Sequence, residues 1–222
     1  MKHVEVKLHQ LKDNILDLTH IVKIQVQKTK QVVFNYDADL AFEVVKNTKR
    51  IEILKIRIEY DCKDILALYN PVAIDLRLIL ASLKIIESLE KIGLHTKNIC
   101  FTMMELNCMI YPQISEEFKL NKMLERTVKM LYKIQKAFEN NDPQLAVKTY
   151  RKDKPINKNT QRSNSRAVNW INKNPEDTRN VIFVLDIISE VERIGDLIKN
   201  ISDGIVFYYE AYSIKEGRFP LT

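Results

Sequence analysis

The sequence predicts an all-α protein built as two tandem three-helix bundles, and three observations carry that prediction. Apolar residues recur at helical spacing through most of the 222 residues. Glycine and proline are scarce, 4 and 6 in the chain, below the usual ~7% and ~5%. Sandwiches, doubly wound sheets and phosphate-binding loops draw on glycine for their turns, so the count argues against them. The second half of the chain also repeats the first in register.

The elements follow in order. Leu8, Leu11, Ile15, Leu18, Val22, Thr29 and Val32 form one stripe of a first helix over about 5–34. Asn35-Tyr36-Asp37 breaks it, and Asp37 or Asp39 can cap a second helix over about 38–68. Asn70-Pro71 stops that helix, Pro71 suits the first turn of a third, and Tyr111-Pro112 ends the third near residue 109. A fourth helix is expected over Ser115–Glu139, followed by the turn and cap Asn140-Asn141-Asp142-Pro143. A weaker helical stretch runs to about Asn172. Asn174-Pro175 then opens a last helix reaching about Tyr212. These elements divide the chain into residues 1–112 and 113–222.

The repeat is readable by eye. Shifted by 105, Asp37, Leu40, Ala41 and Ile51 fall on Asp142, Leu145, Ala146 and Ile156. Shifted by 102, Asp75-Leu-Arg77 falls on Asp177-Thr-Arg179, Leu89-Glu-Lys-Ile-Gly93 on Val191-Glu-Arg-Ile-Gly195, and Asn98-Ile99 on Asn200-Ile201. Gly93 and Gly195 stand inside helices, where glycine costs about 1 kcal/mol against alanine. Its recurrence at one repeat position points to close helix–helix approach.

The net charge is +6. Lys148, Arg151, Lys152, Lys154, Lys158, Arg162 and Arg166, against Asp153 alone, concentrate it in one segment, which is either a solvated face or the contact for an anionic partner. No apolar run approaches the ~20 residues that cross a bilayer, and the opening MKHVEVKLHQLKDN offers no leader core, so secretion is not expected. Cys62, Cys100 and Cys108 make an odd set without a CxxC pair, as expected of buried or free thiols in a reducing compartment.

One constellation can carry chemistry. Glu192 and Asp196 lie one turn apart, in line with the apolar residues Val181, Leu185 and Ile188. Carboxylates beside a core need a positive partner. A bound Mg, Mn, Fe or Zn ion would serve, and so would an arginine from another helix. In the first repeat the matching pair is Glu90 and Leu94, so the second carboxylate is absent. His95, beside Leu94, reads as a surface bystander.

Pro71-Val-Ala-Ile-Asp-Leu-Arg77 through Lys84, Leu89–Gly93 with Asn98-Ile99, and Val191-Glu-Arg-Ile-Gly-Asp196 with Asn200-Ile201 closely resemble the PhoU family. The resemblance spans nearly the whole chain, including the first helix and the Tyr208–Gly217 tail. It implies six helices in two bundles, a cytoplasmic and often dimeric protein, and metal-ion clusters on E/DxxxD motifs. It further implies a regulatory role between the ATPase of a phosphate ABC transporter and a sensor histidine kinase, restraining the starvation response when phosphate is ample. Carried over residue by residue, it names Glu192, Asp196 and Asp153 as metal ligands, and Glu90 alone in the first repeat, where Leu94 and Thr48 replace the other two. Pro155 disturbs the middle helix of the second repeat just after Asp153, either by starting, kinking or fraying it. The basic balance departs from the acidic character of the family.

Two other functions compete. A di-metal carboxylate enzyme needs Glu-x-x-His pairs, and none of His3, His9, His20 or His95 has glutamate three positions before it. A nucleic-acid binder could use the 148–166 run, but this run lacks the interleaved aromatics that stack on single strands. The sequence therefore predicts a non-enzymatic regulator without nucleic-acid contacts.

Overall fold

Every apolar residue of the first stripe, Leu8 through Val32, is buried in the computed structural model, which describes residues 2–216. That stripe makes α1 (Lys2–Asn35), one uninterrupted helix. Tyr36 turns the chain at φ 46°, and Asp37 caps α2 (Ala38–Tyr69) by accepting from the Leu40 amide at 2.9 Å. Asn70 in the left-handed region closes α2. The third helix, α3 (Ile74–Leu106), starts two residues and stops three residues inside the expected 72–109. Pro71 lies in the connection and outside the first turn, and Ala73, at φ 49°, is the residue that enters the helix.

The second half contains more breaks than its periodicity implied. The expected single helix over Ser115–Glu139 is two: α4 (Pro112–Glu117) and α5 (Leu120–Glu139), parted by Lys119 at φ 55°. Pro112 opens α4, although Tyr111-Pro112 read as a stop. Asp142 caps α6 (Pro143–Tyr150) through the Leu145 amide at 2.9 Å. A 3₁₀ turn, Arg151–Asp153, then leads into α7 (Lys154–Lys173). Pro155 occupies the first turn of α7, where its missing N–H is harmless, so of the three expected outcomes the helix starts there. The 3₁₀ turn Pro175–Asp177 precedes α8 (Thr178–Glu210), and a last one, Ile214–Glu216, follows it. Gly217 of the expected tail lies outside the described residues.

No strand occurs among the described residues. α1, α2 and α3 pack mutually as one three-helix unit, and α5, the α6–α7 pair and α8 as the other. The two units share a single apolar core. Their long last helices lie antiparallel along each other, so Ala81 and Ile85 of α3 meet Gly204 of α8. A Cβ on Gly204 would stand 3.2 Å from Ile85. Glycine there lets the two 33-residue helices approach closely enough to bury their facing stripes. Cys62 and Cys100 are buried, and loss of solvation pushes both thiols up to about 12, as in packing residues without reactivity.

Candidate functional site

The repeated sequence motifs meet along the α3–α8 seam. Arg77, near the start of α3, donates from Nε to the Tyr208 carbonyl at the end of α8, 3.1 Å away. Arg179, its repeat counterpart at the start of α8, donates to the Glu105 carbonyl at the end of α3, also at 3.1 Å. Helix C-termini leave carbonyls unpaired and carry partial negative charge, so each arginine satisfies both. The Asp-x-Arg motifs are thus reciprocal clamps across a pseudo-twofold seam. Between them, His95 Nδ1 of α3 lies 2.7 Å from Glu190 Oε2 of α8, which also accepts from Asn98 at 3.1 Å. Burial pushes the Glu190 carboxyl up, but hydrogen bonds from His95 and Asn98 outweigh it and hold the group below its usual range. His95, read from sequence as a bystander, therefore joins the two repeats; its register against Glu190 exists only once α3 and α8 are paired.

Two of the three candidate carboxylates of the second repeat, Asp153 and Asp196, come together around a cation of the chain's own. The 3₁₀ turn points Asp153 inward, where it is only 2% exposed. Lys199 of α8 reaches Asp196 Oδ1 at 2.8 Å and Asp153 Oδ2 at 3.3 Å. Its ammonium also lies 5.6 Å from the centre of the Tyr150 ring. Burial raises the Asp153 carboxyl above its ordinary value despite Lys199, with Asp196 adding repulsion. Glu192 is raised for the same reasons: burial first, then Asp196 and Asp153. Lys199 loses solvation but is raised overall by its two aspartates. Gly195 allows this cluster to exist, because a Cβ there would overlap the Asp153 carboxylate.

The matching place in the first repeat is neutral. Gln25, buried within the α1 stripe, donates to Thr96 Oγ1 at 2.8 Å, Thr48 Oγ1 at 3.2 Å and the Gly93 carbonyl at 3.3 Å, and accepts from Asn47 at 2.7 Å. Thr48 is the counterpart of Asp153. Leu94, the counterpart of Asp196, faces solvent. Glu90 is half-buried, contributes to the field that raises Lys55, and stands apart from the Asp153 cluster in the other unit. Gln25 was missed in the sequence reading, although a long polar side chain between Val22 and Thr29 on a buried stripe was a visible signal.

A family model described as the PhoU domain matches residues 15–103 and again 120–205. The chain belongs to the PhoU family. The phosphate-specific transport system accessory protein PhoU of Edwardsiella tarda is 29% identical over 91% of this chain and 82% of its own length. The protein of the same name from Escherichia coli K12 is 27% identical over 91% and 83%. The crystal structure of PhoU from Pseudomonas aeruginosa superposes with a TM-score of 0.84 at 23% identity, covering 94% of this chain and 99% of that one. PhoU from Streptococcus pneumoniae, the phosphate transport system regulatory protein, gives 0.82 at 23%, covering 95% and 98%. Both structures share the fold.

The PhoU resemblance implies a metal cluster on Glu192, Asp196 and Asp153, and in this chain the Lys199 ammonium lies between two of these acids. Among the described residues no three His, Cys, Asp or Glu side chains converge on a common point. Lys199 stands where a bridging cation would have to satisfy both Asp153 and Asp196. Both Asp153 oxygens are buried without a hydrogen bond, and Lys199 faces Oδ2 as an ion pair at 3.3 Å. Glu90 lacks both partners that would make it a site. Lys199 was legible too: it lies three residues after Asp196 and seven after Glu192, on the same helix face.

Proposed function

We propose that this protein is a non-enzymatic regulator of phosphate uptake and starvation signalling. It acts in the cytoplasm, as a homodimer, by docking on the ATPase of a phosphate ABC transporter and on a sensor histidine kinase, and it restrains the starvation response while phosphate is ample. The observation that carries this reading is the PhoU domain present in both halves. The names of the curated relatives, accessory proteins of the phosphate-specific transport system, support it. Several polar side chains along the helix seams pair with one another, Asp196 with Lys199, His95 with Glu190, and Gln25 with Thr48 and Thr96, as suits a docking scaffold. No helix among the described residues is long and apolar enough to cross a membrane. In this reading Lys199 does the electrostatic work of the family's metal in the second repeat, while 1–112 and 113–222 act as one rigid pair.

The test is genetic and biochemical together. Deleting the gene should raise expression of phosphate-starvation genes in phosphate-rich medium, and the tagged protein should capture a phosphate-transporter ATPase or a sensor kinase from its own cell. An unchanged phosphate response with neither partner captured overturns the proposal.

A further inference from the structure

One cavity of the second unit, about 290 Å³, is lined by six cationic side chains and no carboxylate. Lys119, Lys122 and Arg126 come from the start of α5 at spacings that share one helix face. Lys158, Arg162 and Arg166 come from α7 at i, i+4 and i+8. Two basic stripes therefore face one concavity, and only the second belongs to the basic run visible in the sequence. Buried Met123 and Ile156 form its floor. Lys119 turns the chain into α5 without any side-chain cap, so the N-terminal dipole of a 20-residue helix adds to the field.

The charge is uncompensated. Among the described residues none of the six forms a salt bridge. Arg166 is held in place by a neutral group: it donates to Asn159 Oδ1 at 2.6 Å, and buried Asn159 is itself anchored to the Phe118 carbonyl at 2.8 Å. Like charges at i, i+4 repel, so an arrangement that keeps six together and fixes one with an amide is primed for an anion. A single phosphate group carries about two negative charges, which leaves most of the six unmatched, whereas each added phosphate in a chain brings the balance closer. The volume lies at the small end of ligand sites, roughly 300–1,000 Å³. No aromatic side chain lines it to stack a base.

We propose that this cavity binds a compact polyanion of the inorganic oligophosphate class. The proposal is independent of the role in phosphate signalling. Titration calorimetry of the full chain should show saturable binding of sodium tripolyphosphate at about 0.1 M ionic strength, at least roughly tenfold tighter than orthophosphate or sulfate. Arg126→Gln and Arg162→Gln should each weaken it about tenfold or more. Lys46→Gln and Lys49→Gln, which remove the same charge from exposed positions of α2, should leave it unchanged. Lys122→Gln with Lys158→Gln, both exposed, should weaken binding as well, and they carry the test should an arginine variant lose its helical spectrum. Absence of saturable tripolyphosphate binding, an equal loss in the α2 variants, or a DNA duplex binding more tightly than tripolyphosphate and more so with length would each overturn the proposal.

Discussion

Replacing Lys199 by methionine tests the idea that this side chain serves as the site's cation. Methionine keeps the aliphatic stem and removes only the ammonium, so packing along α8 is preserved. Asp153, 2% exposed, then holds a carboxylate with no positive neighbour and with Asp196 and Glu192 close enough to repel it. Breaking one side of a fully buried pair costs about 3–5 kcal/mol. Lys199 is about a quarter exposed and Asp196 about half, so solvent screens part of the loss, and about 2–3 kcal/mol is expected. In a chain of this size that lowers Tm by about 4–12 °C.

The loss should depend on pH. Burial already raises Asp153, and removing Lys199 raises it further. A carboxyl raised in the folded state holds its proton more tightly there than in the unfolded chain. Its contribution is therefore favourable at acid pH and is lost as pH rises through the folded value. Lys199→Met should accordingly be more destabilising at pH 8 than near the ordinary carboxylate range, as read by urea unfolding at both. A double-mutant cycle with Asp153→Asn isolates the pair and should give a coupling above about 1 kcal/mol. Equal destabilisation at both pH values, or additivity within about 0.5 kcal/mol, would refute the reasoning. So would a wild-type Tm that climbs several degrees with added Mn²⁺ or Zn²⁺ and stops doing so in Asp153→Asn, because the seat would then be open to metal.

Three further outcomes follow from the same geometry. Gly195→Ala should destabilise by about 1–3 kcal/mol in thermal unfolding, since its Cβ meets the Asp153 carboxylate, whereas Gly93→Ala comes tightly only on the end of Ile51, at 3.1 Å, with its other neighbours at 3.5 Å or more, and should be near neutral once the helix gain of about 1 kcal/mol is included. Arg77→Ala and Arg179→Ala should each expose the ends of the α3–α8 seam and cost about 1–3 kcal/mol, with faster hydrogen exchange in the last turn of the opposite helix. Glu190→Gln should remove a stabilising contribution that is present at neutral pH and lost as pH falls through the depressed carboxyl value, so its effect on urea midpoints should shrink towards acid pH.

The helices were legible wherever the apolar stripe was long and the caps were ordinary, as in α1 and at Asp37 and Asp142. The breaks were less so. Lys119 and Ala73 enter helices at positive φ without being glycine, and nothing in their side chains announces it. Pro155 did announce a disturbance, but its consequence, a 3₁₀ turn that points Asp153 into the core, depends on α8 being close by at Gly195. Glu192 and Asp196 were singled out by their type and spacing, and Asp153 by the family resemblance alone. Lys199 escaped because attention to carboxylates and metals left a lysine on the same face unweighed, and the cationic cavity escaped because half of it comes from α5, outside the basic run.

The two repeats show how one inherited position can be resolved in opposite ways. At Gly93 and Gly195 the last helix of each unit comes close to the middle helix, so whatever stands at position 48 or 153 is forced into a crowded, largely dry space. A charge there needs a counter-charge, and a neutral group needs only hydrogen bonds. The first unit takes the neutral route: Thr48 replaces the acid, and Gln25 from α1 completes it with an amide that satisfies Thr48, Thr96 and the Gly93 carbonyl together. The second unit keeps Asp153 and therefore keeps a cation, which Lys199 provides from one turn beyond Asp196. The charged solution responds to pH, while the neutral one does not. If the second unit is the responsive half of the molecule, perturbing Lys199 should alter partner capture more than perturbing Gln25 by an equal loss of stability; equal effects at matched Tm would make both positions matters of packing alone.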